Sequence, residues 1–99
     1  MSKKKIQTVS IPEIAAVLKR NADKTLRVTF HDGEILILTD YQEIDPSIYD
    51  QQGGWCATLV QDVTGRHSFR PGCGVDILEQ DVAIIEDASV GVTLFKSNA

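Results

Sequence analysis

The feature of this sequence that most constrains its fold is a change in the spacing of its apolar residues near residue 25. Before that point, apolar residues recur three, four and seven positions apart, as they do on one face of a helix. These residues are Ile11, Ile14, Ala15, Leu18 and Ala22. After it, apolar and polar residues alternate, which is typical of strands that bury one face. The sequence therefore predicts one helix near residues 11–22, followed by β structure.

The start of the helix has the form of a capping box. In Ser10-Ile-Pro-Glu13, the Ser10 hydroxyl is placed to accept from the third helical amide, and Glu13 is placed to reach back to the Ser10 amide. Pro12 is tolerated there because the amides of the first turn lack helical partners. We expect Ser10 to be the N-cap.

Short strands and tight turns account for the rest of the chain. Leu26, Val28 and Phe30 alternate with polar residues, and Asp32-Gly33 predicts a two-residue hairpin turn in which both positions have positive φ. The return strand, near 34–42, contains the run Ile35–Leu38, which indicates burial on both faces. Further strands are expected near 55–63, 75–78 and 82–86, with 90–95 as a sixth candidate and 64–74 as a long loop.

This pattern predicts a mainly β fold with one N-terminal helix: a small, strongly bent, five-stranded antiparallel barrel. The 99 residues leave room for one domain. We assign residues 1–9 to a basic N-terminal tail and residues 10–99 to a single small-barrel domain that includes the helix.

Charge is distributed unevenly along the chain. The net charge is −4, yet residues 1–30 hold seven Lys and Arg against two acids, so the remainder is strongly acidic. The basic end either forms a surface that steers anions to one face or is a solvated tail. The longest apolar run, Ile14–Leu18, has five residues, whereas a membrane span needs about 18. Together with two cysteines, too few for a disulfide framework, this predicts a cytoplasmic protein without a membrane partner.

Two stretches resemble the motifs of the Sm/LSm family. The first is Val28-Thr-Phe30-His-Asp-Gly33, which continues through Ile35 and Ile37 to Asp45; the second runs from Ile77 to Ile85. The resemblance implies a five-stranded barrel preceded by a helix. It also implies a homo-oligomeric ring in which edge strands of neighbouring subunits pair, with single-stranded RNA as a ligand. The strands near 75–86 would be those edges.

The resemblance also indicates where RNA would bind and where this chain departs from the family. It puts Ile48 and Tyr49 where the family carries Met-Asn. Ile37 stands in place of a second glycine, and Leu78-Glu79 replaces Arg-Gly, which puts an acid where the phosphodiester would pass. Tyr49 would stack on a base or pack over the barrel end.

The basic residues add to this set. Arg66, His67 and Arg70 form the basic cluster of the 64–74 loop, and they either hold a phosphate or pair with nearby acids. With the tail lysines, the predicted nucleic-acid-binding residues are Tyr49, Ile48, Arg66, Arg70, Lys3, Lys4 and Lys5.

The sequence predicts no catalytic residue, no metal site and no cofactor. His67, Cys56 and Cys73 lack the paired spacing of zinc ligands, and no base and orienting group accompany Cys56 as a nucleophile. The predicted function is therefore an Sm-like, ring-forming protein that binds RNA. The alternative is a protein-interaction or structural module of the same barrel class, without a nucleic-acid ligand. Acidic residues lining both the pore and the rim of the ring would favour the protein-interaction module over RNA binding.

Overall fold

A computed structural model describes residues 9–45, 47, 52–67 and 69–98. Within these ranges the chain contains a nine-residue helix, α1, and a six-stranded antiparallel sheet in the order β4-β3-β2-β1-β5-β6. The elements are α1 Pro12–Arg20, β1 Leu26–Phe30, β2 Ile35–Glu43, β3 Gly54–Asp62, β4 Gly74–Leu78, a 3₁₀ helix Glu79–Asp81, β5 Val82–Asp87 and β6 Thr93–Lys96. No helix in the described ranges is long and apolar enough to cross a membrane.

The mainly β class with one N-terminal helix is confirmed, but the five-stranded barrel is wrong in strand number and in closure. The sixth strand, β6, pairs with β5 through Ile84 to Lys96 and Ile85 to Phe95. As a result, β5 lies inside the sheet and is not the free edge expected from the sequence. The two edges are β4 and β6, so the described part of the sheet is open.

The sheet is nonetheless strongly curled. β4 and β5 lie four positions apart across the sheet, yet only the 3₁₀ helix separates them in the chain. In a flat sheet, four neighbouring spacings would separate these strands by about 19 Å. Leu78 and Val82 are four residues apart and can span at most about 14 Å, even fully extended. Only a curled sheet brings the end of β4 close enough to the start of β5.

The turn between β1 and β2 has a three-residue loop rather than the predicted two-residue one. The Phe30 amide donates to the Glu34 carbonyl (2.8 Å), and the Gly33 amide donates to the Phe30 carbonyl (3.0 Å). Of the loop residues 31–33, only Gly33 has a positive φ, 90°, which is the pattern of a turn followed by a glycine bulge. Asp32 instead accepts from the Glu34 amide through its side chain (2.9 Å), a role that needs no positive φ.

The bend in β2 comes from a bulge. One extra residue enters the β2–β3 ladder between Thr39 and Gln42, where Asp40 adopts a φ of 55°. The next side chain, Tyr41, turns into the core, and its hydroxyl donates to the Leu38 carbonyl; burial raises the pKa of this phenol. The bulge bends the strand, as bulges do. It lies after Ile37, the position at which the Sm/LSm resemblance would put a second glycine.

One hydrophobic core joins the helix to the sheet. Ile14 and Leu18 on α1 are fully buried and belong to the same cluster as Phe30 and Leu59. The predicted burial of both faces of β2 is wrong, because Leu36 and Leu38 are buried whereas Ile35 and Ile37 are only half-buried. The alternating pattern of β1, with Leu26, Val28 and Phe30 buried, is confirmed.

Candidate functional site

A groove of about 620 Å³ lies between β4 and the β1–β2 hairpin. It is lined by Phe30, His31, Asp32, Glu34, Leu36, Ile44, His67, Phe69, Val75, Asp76, Ile77, Leu78 and Asp81. Four consecutive residues of β4 take part, although successive side chains of a strand point to opposite faces. The groove therefore runs along the edge of β4, where no other described strand pairs.

The charged groups of the groove are mainly acidic. Asp32, Glu34, Asp76 and Asp81 line it, and none of its described lining residues is a lysine or an arginine. Clefts lined by charges of one sign concentrate ligands of the opposite sign. This groove is thus suited to a cationic ligand rather than to phosphate.

A histidine closes one side of the groove. His67 Nε2 lies 2.5 Å from Glu34 Oε2, an oxygen that is buried and accepts no aligned hydrogen bond within the described residues. The imidazole ring also stacks on Phe69, with ring centroids 4.8 Å apart and an interplanar angle of 21°. Phe69 keeps 39% of its surface exposed. The pair presents a partly exposed aromatic face above an acidic side chain.

The predicted phosphate-binding arginine Arg66 is engaged with the same hairpin. Arg66 Nη1 lies 3.4 Å from Asp32 Oδ2, and Nη2 donates to the Asp32 carbonyl at 3.0 Å. Both side chains are well exposed, so this ion pair is worth little stability. It does place a carboxylate next to the guanidinium that a phosphate would have to approach.

The other predicted nucleic-acid-binding residues are not brought together by the described structure. Arg70 is exposed next to the turn before β4 and does not line the groove. Ile48, Tyr49 and the three lysines 3–5 lie outside the described residues.

Sequence reasoning missed the buried acid Glu79, which is 1% exposed. Its Oε2 accepts from the indole N–H of Trp55 (2.6 Å), and its Oε1 accepts from the Ile11 amide (2.6 Å). The position at which the family resemblance puts acid on an RNA path is therefore an interior one. A buried indole N–H needs an acceptor, so the single tryptophan was the signal that could have indicated such a residue.

Glu79 also explains why the predicted capping box does not form. The N-cap is Ile11 rather than Ser10, and no side chain caps the helix. Ser10 Oγ lies 3.5 Å from Glu79 Oε1, so the serine is drawn to a residue far along the chain. Gly53 makes this packing possible, because a Cβ there would come within 2.8 Å of the Val9 carbonyl oxygen.

Neither cysteine lines the groove. Cys56 lines a second depression with Tyr41 and Gly74; burial and then the nearby Asp76 carboxylate raise the pKa of its thiol. Both cysteines are free thiols. In the described part of the chain, no three His, Cys, Asp or Glu side chains are grouped so as to hold a metal ion.

Comparison with known proteins finds no counterpart: no family model, no curated protein and no solved structure matches this chain. The Sm/LSm resemblance therefore stays a prediction from the two motifs. The function has to be argued from the groove and from the sheet edge beside it.

Proposed function

We propose that this chain is a protein-interaction module that binds an extended, positively charged segment of another polypeptide along β4. The observation that carries the proposal is the open edge of β4, which faces a groove whose charged lining is acidic. This is the protein-interaction alternative to RNA binding, and the groove beside β4 gives it a defined surface.

The backbone of β4 supplies the first part of the binding. An edge strand presents unpaired N–H and C=O groups, and an extended peptide can add to it as a further strand. β4 is five residues long, Gly74–Leu78, enough for a short ladder. The curl of the sheet places the β1–β2 hairpin opposite that edge, so an added segment would be enclosed on both sides.

The side chains of the groove supply specificity. Side chains of an added strand would point alternately to the two sides, and the groove offers both apolar and acidic surfaces. Phe30, Phe69 and Leu78 would provide the apolar contacts. Asp76 and Asp81 would contact the basic side chains of the added segment. A segment in which basic and apolar residues alternate matches this lining.

RNA binding stays a prediction that the groove does not favour. Its acids repel phosphates, and Arg66 already faces Asp32. Among the predicted residues, Arg70 and the tail lysines Lys3–Lys5 would have to supply the phosphate contacts.

The test is a titration of labelled probes onto the full chain, followed by fluorescence anisotropy at about 50 mM salt, where screening is weak. The probes are a peptide of alternating lysine and valine, the same peptide with a central proline, and oligouridine. We expect only the unbroken basic peptide to bind, because proline removes a ladder hydrogen bond. Equal binding of the proline peptide or of oligouridine, or no binding of the unbroken peptide, would contradict the proposal.

A matched pair of variants locates the site. Asp81→Asn removes one groove charge without altering the backbone, and Asp23→Asn removes an exposed charge that does not line the groove. Because exposed charge pairs are worth about 0.2–1 kcal/mol, Asp81→Asn should lower the affinity for the basic peptide by up to about fivefold. Asp23→Asn should leave the affinity unchanged.

Self-association would use the same edge. Since β6 covers β5, a ring built by edge pairing would have to join β4 of one copy to β6 of the next. Such head-to-tail contacts close into rings or extend into filaments. Light scattering at micromolar concentration distinguishes these states from the 10.9 kDa monomer, and the ring stays a prediction until then.

A further inference from the structure

We infer that the chain's own basic N-terminal segment, Lys3–Lys5, occupies the acidic groove and that a partner segment must displace it. The inference rests on the proposed function, because it requires that the groove bind a basic segment. It adds an internal competitor that regulates access to the site.

The described chain begins close to the groove. The Val9 amide donates to Gln80 Oε1 at 2.7 Å, and the next two residues, Ser10 and Ile11, approach Glu79. Gln80 immediately precedes Asp81, which lines the groove. The N-terminal segment therefore leaves the described structure next to the groove, held there by contacts to the 3₁₀ helix.

The N-terminal lysines are close enough to Val9 in the chain to reach along β4. Lys5 is four residues from Val9 and Lys3 is six, so they can extend up to about 14 and 20 Å from it. The edge of β4 is about 17 Å long for its five residues. Lys3 therefore has enough chain to follow a length equal to the whole β4 edge, and Lys5 has enough to follow most of it.

The segment and the groove carry opposite charges. The segment carries three consecutive lysines. The groove has four carboxylates, of which Asp32 already pairs with Arg66, and no lysine or arginine among its described lining. Three lysines elsewhere in the chain, Lys19, Lys24 and Lys96, are exposed and do not line the groove. They supply a control of equal charge.

Tethering makes even a weak contact effective. A short tether gives the segment an effective concentration in the millimolar range. At an effective concentration of about 1 mM, a segment with a dissociation constant of about 0.5 mM would occupy the groove about two-thirds of the time. It would lower the apparent affinity of a competing ligand about threefold.

The test compares two full-length variants with the unmodified chain, using the unbroken lysine–valine peptide as the probe. In one variant Lys3, Lys4 and Lys5 are changed to glutamine; in the control Lys19, Lys24 and Lys96 are changed to glutamine, which gives the same net charge. We expect the first variant to bind the probe about threefold more tightly than the control. Amide resonances of β4 and Asp81 should shift in the first variant and not in the control.

Each result has one meaning. Equal probe affinity in both variants, with unchanged β4 resonances, overturns the inference and leaves the proposed function standing. No binding of the probe to any chain overturns the proposed function itself. A gain in affinity that vanishes on dilution of the protein overturns internal docking, since the competing segment then comes from a second copy.

Discussion

Replacing Glu79 with alanine should destabilise this protein more than any single surface change. The carboxylate accepts from the Trp55 indole N–H and from the Ile11 amide, each at 2.6 Å. Trp55 is only 2% exposed, so in the variant water has little access to its N–H group. Both donors would lose their acceptor at once.

The magnitude follows from these contacts. A buried donor left without a partner costs about 1–3 kcal/mol, and the variant leaves two such donors, the Trp55 indole N–H and the Ile11 amide. We therefore expect Glu79→Ala to lower the free energy of unfolding by about 2–6 kcal/mol, against about 5–15 kcal/mol for a whole domain. Glu79→Gln keeps one acceptor oxygen and should cost less, about 1–3 kcal/mol.

The assay is urea unfolding followed by fluorescence and circular dichroism. The chain has a single tryptophan, Trp55, so the emission reports on the Glu79 contact directly. The control is Glu43→Gln, whose partner Lys19 lies 3.8 Å away on the surface and which should cost at most about 1 kcal/mol. A loss below about 1 kcal/mol for Glu79→Ala would refute the claim that this acid holds the helix and β3 together.

Three further predictions test the hydrophobic core, the Asp87 carboxylate and the Cys56 thiol. Leu18→Ala, at a fully buried position of α1, should lower the free energy of unfolding by about 2–5 kcal/mol in the same urea assay; a change below about 1 kcal/mol would show that the helix does not cover the sheet. Hydrogen bonds from Ser89 lower the pKa of Asp87, so its stabilising contribution is present above the unfolded value of about 3.9 and is lost as the pH falls through the lower folded pKa. Asp87→Asn should therefore flatten the stability profile measured between about pH 5 and pH 2. Burial and Asp76 raise the pKa of Cys56, so iodoacetamide should modify this thiol more slowly than a free cysteine at pH 8, and Asp76→Asn should speed the reaction.

The strands could be predicted because their signals are local. Alternating residues in β1 and the glycine after Asp32 identified the first hairpin, and the helix followed from its apolar spacing. The type of turn could not be predicted, because it depends on whether the Asp32 side chain caps the Glu34 amide. The cap of α1 could not be predicted either, since Glu79 lies 68 residues beyond Ile11 in the chain.

The groove was harder to foresee than the strands. Its acids come from the β1–β2 loop, from β4 and from the 3₁₀ helix, and only the curl of the sheet brings these elements to one place. The sequence showed a net acidic body but not which acids share a surface. The pairing of Arg66 with Asp32, 34 residues apart, likewise depends on where residues 63–73 fold back.

The contact between Ile11 and Glu79 has a consequence for the order in which the chain can fold during synthesis. A helix of nine residues is too short to be stable in isolation. The amide of its N-cap residue, Ile11, donates to Glu79, which lies 68 residues downstream. Although α1 is synthesised before the strands, its final docking must wait until the 3₁₀ helix after β4 has emerged. α1 is then among the last described elements to become ordered, although it precedes all six strands in the chain.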